Sequence, residues 1–204
     1  MKLEEAKNDY YRRLARAEGY KSRAAYKLLE AVGKYKLIRP GQSVIDLGSA
    51  PGGWFQVASE TVGDSGTVVG VDLAPMRLMA AGNDRLIQAD VNDPALPERV
   101  RGAIKAREPF PFDVLLSDLS PNISGVWELD HYKQVELVLR SLVIADALLR
   151  VGGNAMLKVF EGERFAETKK EAEKRFRTVH IMKPKASRPE SSEMYLICLS
   201  KLRA

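Results

Sequence analysis

Residues 43–55 read SVIDLGSAPGGWF, an apolar run that ends in an acid and opens into a glycine-rich turn. A run of that length before such a turn fits a buried strand feeding a helix. The runs TVVGVD (67–72) and FDVLLSDL (112–119) have the same build, almost wholly apolar up to an aspartate. That pattern suits strands covered on both faces, as in a parallel sheet. RLIQAD (85–90), GNAMLKVFE (153–161), RTVHIMK (177–183) and EMYLICLSKL (193–202) read as further strands. Helices are expected at about 53–62, 94–107, 130–150 and 163–175. The alternation predicts an α/β fold with a mainly parallel, doubly wound sheet. Only KASRPESS separates the last two strands, too little for a crossover helix, so they are expected as an antiparallel hairpin at one sheet edge.

The first forty residues read as helical, with Ser22 as the cap of a helix through about Lys36 and Pro40-Gly41 as punctuation. They hold eleven Lys/Arg against five Asp/Glu, an excess that accounts for the whole net charge of +5. Tyr10, Tyr11, Tyr20, Tyr26 and Tyr35 are interleaved with these cations, a mixture suited to phosphate neutralisation and base stacking. A solvated helix face with anchoring tyrosines is the plainer alternative.

The 204 residues, 45% of them hydrophobic, suffice for one sizeable core, and no repeat or linker divides them. No segment has the roughly 20 uninterrupted apolar residues that span a bilayer. The charged N-terminus lacks a signal-peptide core, and the lone Cys198 reads as a buried core thiol. A cytoplasmic protein without membrane association is expected.

The loop spacing, Gly48-x-x-x-Gly52-Gly53, is neither G-x-G-x-x-G nor a phosphate loop, because Trp54 stands where the lysine would be. This argues against a nicotinamide-dependent oxidoreductase. Asp46, Asp72, Asp90 and Asp118 fall at or near strand ends, which a parallel sheet gathers at its carboxyl edge. Asp72 is placed to accept two ribose hydroxyls, and Asp90 an adenine amino group. Adenosine carrying a sulfonium amino acid, S-adenosylmethionine, satisfies that set. Strand-end aspartates that merely cap turns are the simpler alternative for any one of them.

The acceptor atom follows by comparison. Ser117-Asp118-Leu119-Ser120-Pro121-Asn122 lacks the second proline and the aromatic residue expected for amine methylation. Cys198 lies mid-strand, ill placed as the nucleophile that carbon-5 methylation needs. Oxygen remains, and a hydroxyl needs a base or strong positioning. Lys158 closes an otherwise apolar strand, where burial and a second cation such as Lys27 would free its amine, and Asp118 would act the other way. A strand-end lysine that snorkels to solvent is the alternative. His131 and His180 form no ligand cluster, so no metal is expected.

The stretches SRAAYKLLE, DLGSAPGGW, VDLAPM, QADVND, LLSDLSPN, LKVFEG and SSEMYLIC resemble the FtsJ-type RNA ribose 2′-O-methyltransferases over nearly the full length. The resemblance implies a Rossmann-like class I S-adenosylmethionine-dependent fold in a single domain, residues 1–204. Within it, residues 1–40 would be a basic RNA-docking segment and 41–204 the core. It implies a catalytic tetrad of Lys27, Asp118, Lys158 and Glu193, with cofactor contacts at Gly52, Trp54, Asp72, Asp90 and Asp118. The alignment is loosest over MRLMAAGNDRL (76–86). Compact members of that family modify a uridine ribose in large-subunit (23S) ribosomal RNA, so the resemblance implies that target here, with the tRNA anticodon loop as the alternative. Outside enzymes, the rival is a non-catalytic RNA-binding module, which would need neither Lys158 nor Asp72.

Overall fold

The computed structural model describes residues 3–76, 84–104, 111–188 and 190–203, with side chains from Tyr10 onward. The strands are β1 (Ser43–Leu47), β2 (Thr67–Asp72), β3 (Arg85–Gln88), β4 (Phe112–Ser117), β5 (Leu149–Phe160), β6 (Phe176–Met182) and β7 (Glu193–Lys201). They form one sheet in the order β3-β2-β1-β4-β5-β7-β6. Neighbours from β3 to β5 run parallel, and β7 runs antiparallel to both β5 and β6. The final hairpin therefore sits at the sheet edge, with β7 inserted inside β6.

β1, at the centre, is buried at all five positions. Between strands lie α3 (Gly53–Val62), α4 (Leu96–Ala103), α5 (Trp127–Leu148) and α6 (Phe165–Glu173), after α1 (Leu3–Ala17) and α2 (Ala25–Tyr35). Helices α2 and α3 pack with Val44, Val68 and Val114 on one face of the sheet. Helices α4, α5 and α6 pack with Ile45, Val69 and Leu115 on the other. Alternate residues of each strand thus feed opposite cores, the doubly wound arrangement.

Several boundaries differ from the sequence reading. The N-terminal segment is helical, as α1 and α2, but Ser22 does not cap the second helix. α2 starts after Ala24, and the Ser22 hydroxyl is buried without a partner among the described residues. Ser22 packs so tightly on the start of α3 that a Cβ on Gly53 would come within 2.2 Å of its oxygen. β5 begins at Leu149, earlier than expected, because a register shift between Phe112 and Val114 lets the strand cross Gly152. α5 begins at Trp127 and α4 is shorter than its expected 94–107, of which 105–107 lie outside the described residues. Most of MRLMAAGNDRL, residues 77–83, also lies outside them.

The interleaved tyrosines serve mainly as anchors. The rings of Tyr10, Tyr11, Tyr26 and Tyr20 follow one another at 5.3–5.8 Å and tie α1 to α2. The hydroxyls of Tyr26 and Tyr20 donate to Glu18 and Glu60, and Tyr35 stacks on His180. Of this set only Tyr10 is more than half exposed, so base stacking has little ring surface to use here.

Candidate active site

The carboxyl ends of β1, β2 and β4 open onto a cavity of about 340 Å³. Its walls carry Asp72, Asp90 and Asp118, with Gly48 and Ala50 from the turn after β1, and among the described residues no Lys or Arg lines it. Each acid is placed by its strand. Asp72 ends β2 and accepts the Ala50 and Ala74 backbone N–H groups, one on each oxygen. Asp90, exposed after β3, accepts from the Asn92 N–H. Asp118 follows β4, anchored by its own N–H to the Leu47 carbonyl at 3.1 Å. A wall whose charged groups, among the described residues, are all acids repels a pyrophosphate and suits a ligand with cationic groups.

Gly52 and Trp54 do not line this cavity. Gly52 holds φ +107°, a conformation that L side chains rarely adopt, and turns the chain into α3. The Trp54 indole is buried, donates to the Ala24 carbonyl at 2.8 Å and lies 5.5 Å from the Tyr195 ring. Its side chain joins α2 to the sheet, so any contact with a ligand in the cavity falls to the backbone of the α3 first turn.

Asp46 is not on the cavity wall either. It is the fourth residue of β1, between Gly70 and Leu116 on the neighbouring strands, and is 0% exposed. Neither of its oxygens has a hydrogen-bond partner among the described residues. Burial first, then the charges of Asp118 and Asp72, pushes its carboxyl well above the usual range. The consequence for stability has a definite sign. As pH rises past the ordinary carboxyl value, the unfolded chain loses this proton while the folded chain keeps it, so the fold is progressively weakened. Asp46→Asn removes that cost. It is expected to stabilise the ligand-free protein at pH 7.5 by about 1–3 kcal/mol, roughly 2–10 °C in Tm. The gain should shrink toward pH 4 in thermal melts. A pH-independent gap between the two proteins would show that ionisation is not its cause.

Beside the cavity, four charged side chains from distant parts of the sequence meet. The antiparallel register of β5 and β7 sets Tyr195 opposite Lys158 and Glu193 opposite Phe160. Lys27 enters from α2, so its Nζ is 2.5 Å from Glu193 Oε1 and 3.2 Å from the Tyr195 hydroxyl. Lys158 Nζ lies 3.2 Å from Asp118 Oδ1 and 3.8 Å from Glu193 Oε2, and it donates to the Asp118 carbonyl. Tyr195 completes the circuit by donating to Asp118 Oδ1 at 2.9 Å. The two lysines are 7% and 9% exposed, so neither snorkels freely into solvent.

The cluster is electrically self-consistent. Burial would raise the Glu193 carboxyl, but Lys27 and Lys158, with hydrogen bonds from Lys27 and Ser187, outweigh it and hold the group below the usual range. Burial, then Asp118 and Glu193, keeps Tyr195 far above the ordinary phenol value, so it stays a donor. Sequence reasoning missed Tyr195, which reads as one more core aromatic in an apolar strand. The available signal was its place two residues after Glu193, which gives it the same face of the strand.

Cations crowd the outer side of this cluster. Arg23 is lowered by burial first, and then by Arg188 and Arg12, while Glu193 counteracts. Arg12 and Arg188 are exposed, so three guanidiniums from α1, the turn before α2 and the β6–β7 connection share one neighbourhood. Among the described residues no group of His, Cys, Asp and Glu could hold a metal ion, and no helix is long and apolar enough to cross a membrane.

Residues 20–201 match the family described as FtsJ-like methyltransferase. The chain is 43% identical over 191 residues to the ribosomal RNA large subunit methyltransferase E of Methanocaldococcus jannaschii, covering 94% of this chain and 78% of that one. It is 40% identical over 199 residues to the protein of the same name from Nitrosopumilus maritimus, covering 98% of each. Among solved structures, a ribosomal RNA methyltransferase of Plasmodium falciparum superposes with a TM-score of 0.79 at 26% identity, covering 91% of this chain and 100% of that one. The fibrillarin pre-rRNA processing protein of Methanococcus jannaschii shares the fold at a TM-score of 0.60 and 18% identity, covering 88% of this chain and 77% of that one.

Proposed function

The chain belongs to the FtsJ-like methyltransferase family, and on that premise we propose that it transfers a methyl group from S-adenosylmethionine to a ribose 2′-oxygen of large-subunit ribosomal RNA, that of a uridine. The observation that carries this reading is the buried Lys27–Glu193–Lys158–Asp118 cluster sharing Asp118 with an acidic cavity.

When bound, S-adenosylmethionine supplies a methyl group activated by a positively charged sulfur. Asp72 would hold its ribose hydroxyls, Asp90 its adenine amino edge and Asp118 the wall nearest the methyl. Gly52 and Trp54 would contribute through the backbone at the start of α3. The charged groups that line the cavity among the described residues are all acidic, which favours such a cationic ligand. Lys158, as the free amine, would orient the 2′-hydroxyl of the substrate and accept its proton as the oxygen–carbon bond forms and the donor's carbon–sulfur bond breaks, leaving a neutral thioether. Asp118 and Glu193 then stabilise the ammonium that results, and Lys27 keeps Glu193 in place. Residues 1–40, with Arg12 and Arg23 beside Arg188, form the phosphate-docking side of a single cytoplasmic domain.

Donor binding has its own test. Asp72→Ala deletes both hydroxyl acceptors, and calorimetry should show affinity for S-adenosylmethionine reduced about 30-fold or more. Unchanged affinity would place the donor elsewhere. The reaction is tested by offering labelled donor with large ribosomal subunits and, in parallel, with tRNA. Label should appear in ribosomal RNA, in a dinucleotide that resists alkaline cleavage, because a methylated 2′-oxygen cannot attack the adjacent phosphate. Label confined to tRNA would overturn the substrate assignment, and alkali-sensitive label would overturn the ribose assignment. The relatives named above favour the ribosomal arm.

A further inference from the structure

A second aromatic surface lies at the start of α5, which packs on the opposite face of the sheet from α2. The loop leaving Asp118 runs into α5 and presents Ile123, Val126 and Trp127 to solvent. This loop is not slack. The Asp130 carboxylate, itself 4% exposed, accepts the Ser124 N–H and hydroxyl on one oxygen and the Gly125 N–H on the other. The Trp127 ring lies nearly parallel to His131 at 5.7 Å and to Phe160 at 6.0 Å. His131 is in turn locked, accepting the Arg164 N–H while Gly162 lies flat against its ring. Phe160 stands two residues past Lys158 on β5. A preordered indole, 45% exposed, thus follows Asp118 by nine residues in the chain and reaches the Lys158 strand through Phe160.

The charges around it select what it meets. Glu128, Glu161 and Glu163 are exposed around this stack; of the cations near it, Arg164 is paired with Glu167 and Lys133 is exposed, so the acids outnumber the unpaired cation and the rim disfavours phosphates. Arg23, within electrostatic reach of Arg12, Arg188 and Glu193, stands just before α2, on the other face of the sheet from α5. A single RNA strand crossing the cluster is therefore oriented with its backbone toward the guanidiniums and its bases toward Trp127. Stacking is indifferent to a nearby acid in a way that phosphate binding is not. The N-terminal tyrosines, packed on one another, leave that role open.

Resting on the ribosomal RNA reading above, we propose that the exposed face of Trp127 is a stacking platform for an unpaired nucleobase neighbouring the methylated ribose. The occupant is a base of the substrate strand rather than a protein segment, because the loop that carries the indole leaves Asp118 and its ring stacks on Phe160, two residues past Lys158.

Two measurements test it. With large ribosomal subunits as substrate, Trp127→Ala should raise KM about tenfold or more, with kcat and donor affinity unchanged. Trp127→Phe, which keeps a ring, should stay within about threefold of wild type, and the slope of log KM against log salt should not change, since no counterion is released. Thermal melts and donor calorimetry on both variants verify the fold. The second probe is a protein-free oligouridylate. Trp54 is buried, so quenching of tryptophan fluorescence on addition of the oligonucleotide should come from Trp127 and vanish in Trp127→Phe. An unchanged KM for Trp127→Ala overturns the proposal. So does a raised KM without oligouridylate quenching, which would place a ribosomal protein on this wall. Wild-type methylation of ribosomal RNA with an unaffected Trp127→Ala defeats this inference alone, whereas absence of wild-type transfer defeats the functional reading beneath it.

Discussion

Lys158→Ala is expected to cut methyl transfer by about 10³-fold or more while leaving donor affinity within about twofold. The separation follows from position. Lys158 does not line the acidic cavity, so its loss leaves the donor's contacts intact. It does hold Nζ against Asp118 and Glu193 at the edge of that cavity, where a hydroxyl must be steered and its proton received. Truncation removes the only group proposed for both tasks. Lys158→Arg sharpens the test, because a guanidinium keeps the charge but does not give up its proton in a protein. If Lys158 acts by accepting a proton, Lys158→Arg is nearly as inactive as Lys158→Ala. If it acts only by charge, Lys158→Arg retains a substantial part of the rate. Single-turnover transfer to ribosomal subunits, with calorimetry of the donor, gives both numbers. Full activity of Lys158→Ala would remove the mechanism proposed here.

The parts of the fold legible in the sequence are those whose signals are local. β1 and β2 span 43–47 and 67–72 as expected, because each is a short, mainly apolar run that closes on an acid or a glycine turn. α3 begins at the glycine pair for the same reason. β5 was harder, since its first residues, Leu149–Gly152, mix a charge and two glycine-flanked positions and are held only by pairing with β4. Trp54 illustrates a different gap. Its place in the motif points at a ligand, whereas its indole is used for packing against Tyr195 and Ala24. Periodicity cannot tell those uses apart, because both bury the ring. Glu193 and Tyr195 owe their positions to an antiparallel register across more than thirty residues of chain, which no window around either residue contains. Only the resemblance drew attention to Glu193, and nothing drew it to Tyr195.

Asp118→Asn should do what no other single change does, lowering both donor affinity and the transfer rate. Its side chain lines the cavity, accepts from the Tyr195 hydroxyl at 2.9 Å and faces Lys158 Nζ at 3.2 Å. Asparagine keeps the shape and one acceptor oxygen, so the backbone tie of Lys158 Nζ to the carbonyl of residue 118 survives. What disappears is the negative charge, and with it the attraction that fixes Lys158 and favours a cationic donor. The expected losses are about tenfold in affinity and about 10²-fold in rate. Tyr195→Phe removes only the tether and should cost about three- to tenfold in rate, the worth of one neutral-donor hydrogen bond. Because Tyr195 acts through Asp118, the two changes are coupled. The double variant Asp118→Asn with Tyr195→Phe should be scarcely slower than Asp118→Asn alone. Rates that multiplied instead would mean that Tyr195 serves the reaction independently of Asp118. Adding Lys158→Ala to Asp118→Asn should likewise cost nothing further in rate beyond Lys158→Ala, while donor affinity still falls with Asp118, since the carboxylate meets the lysine on one side and the cavity on the other.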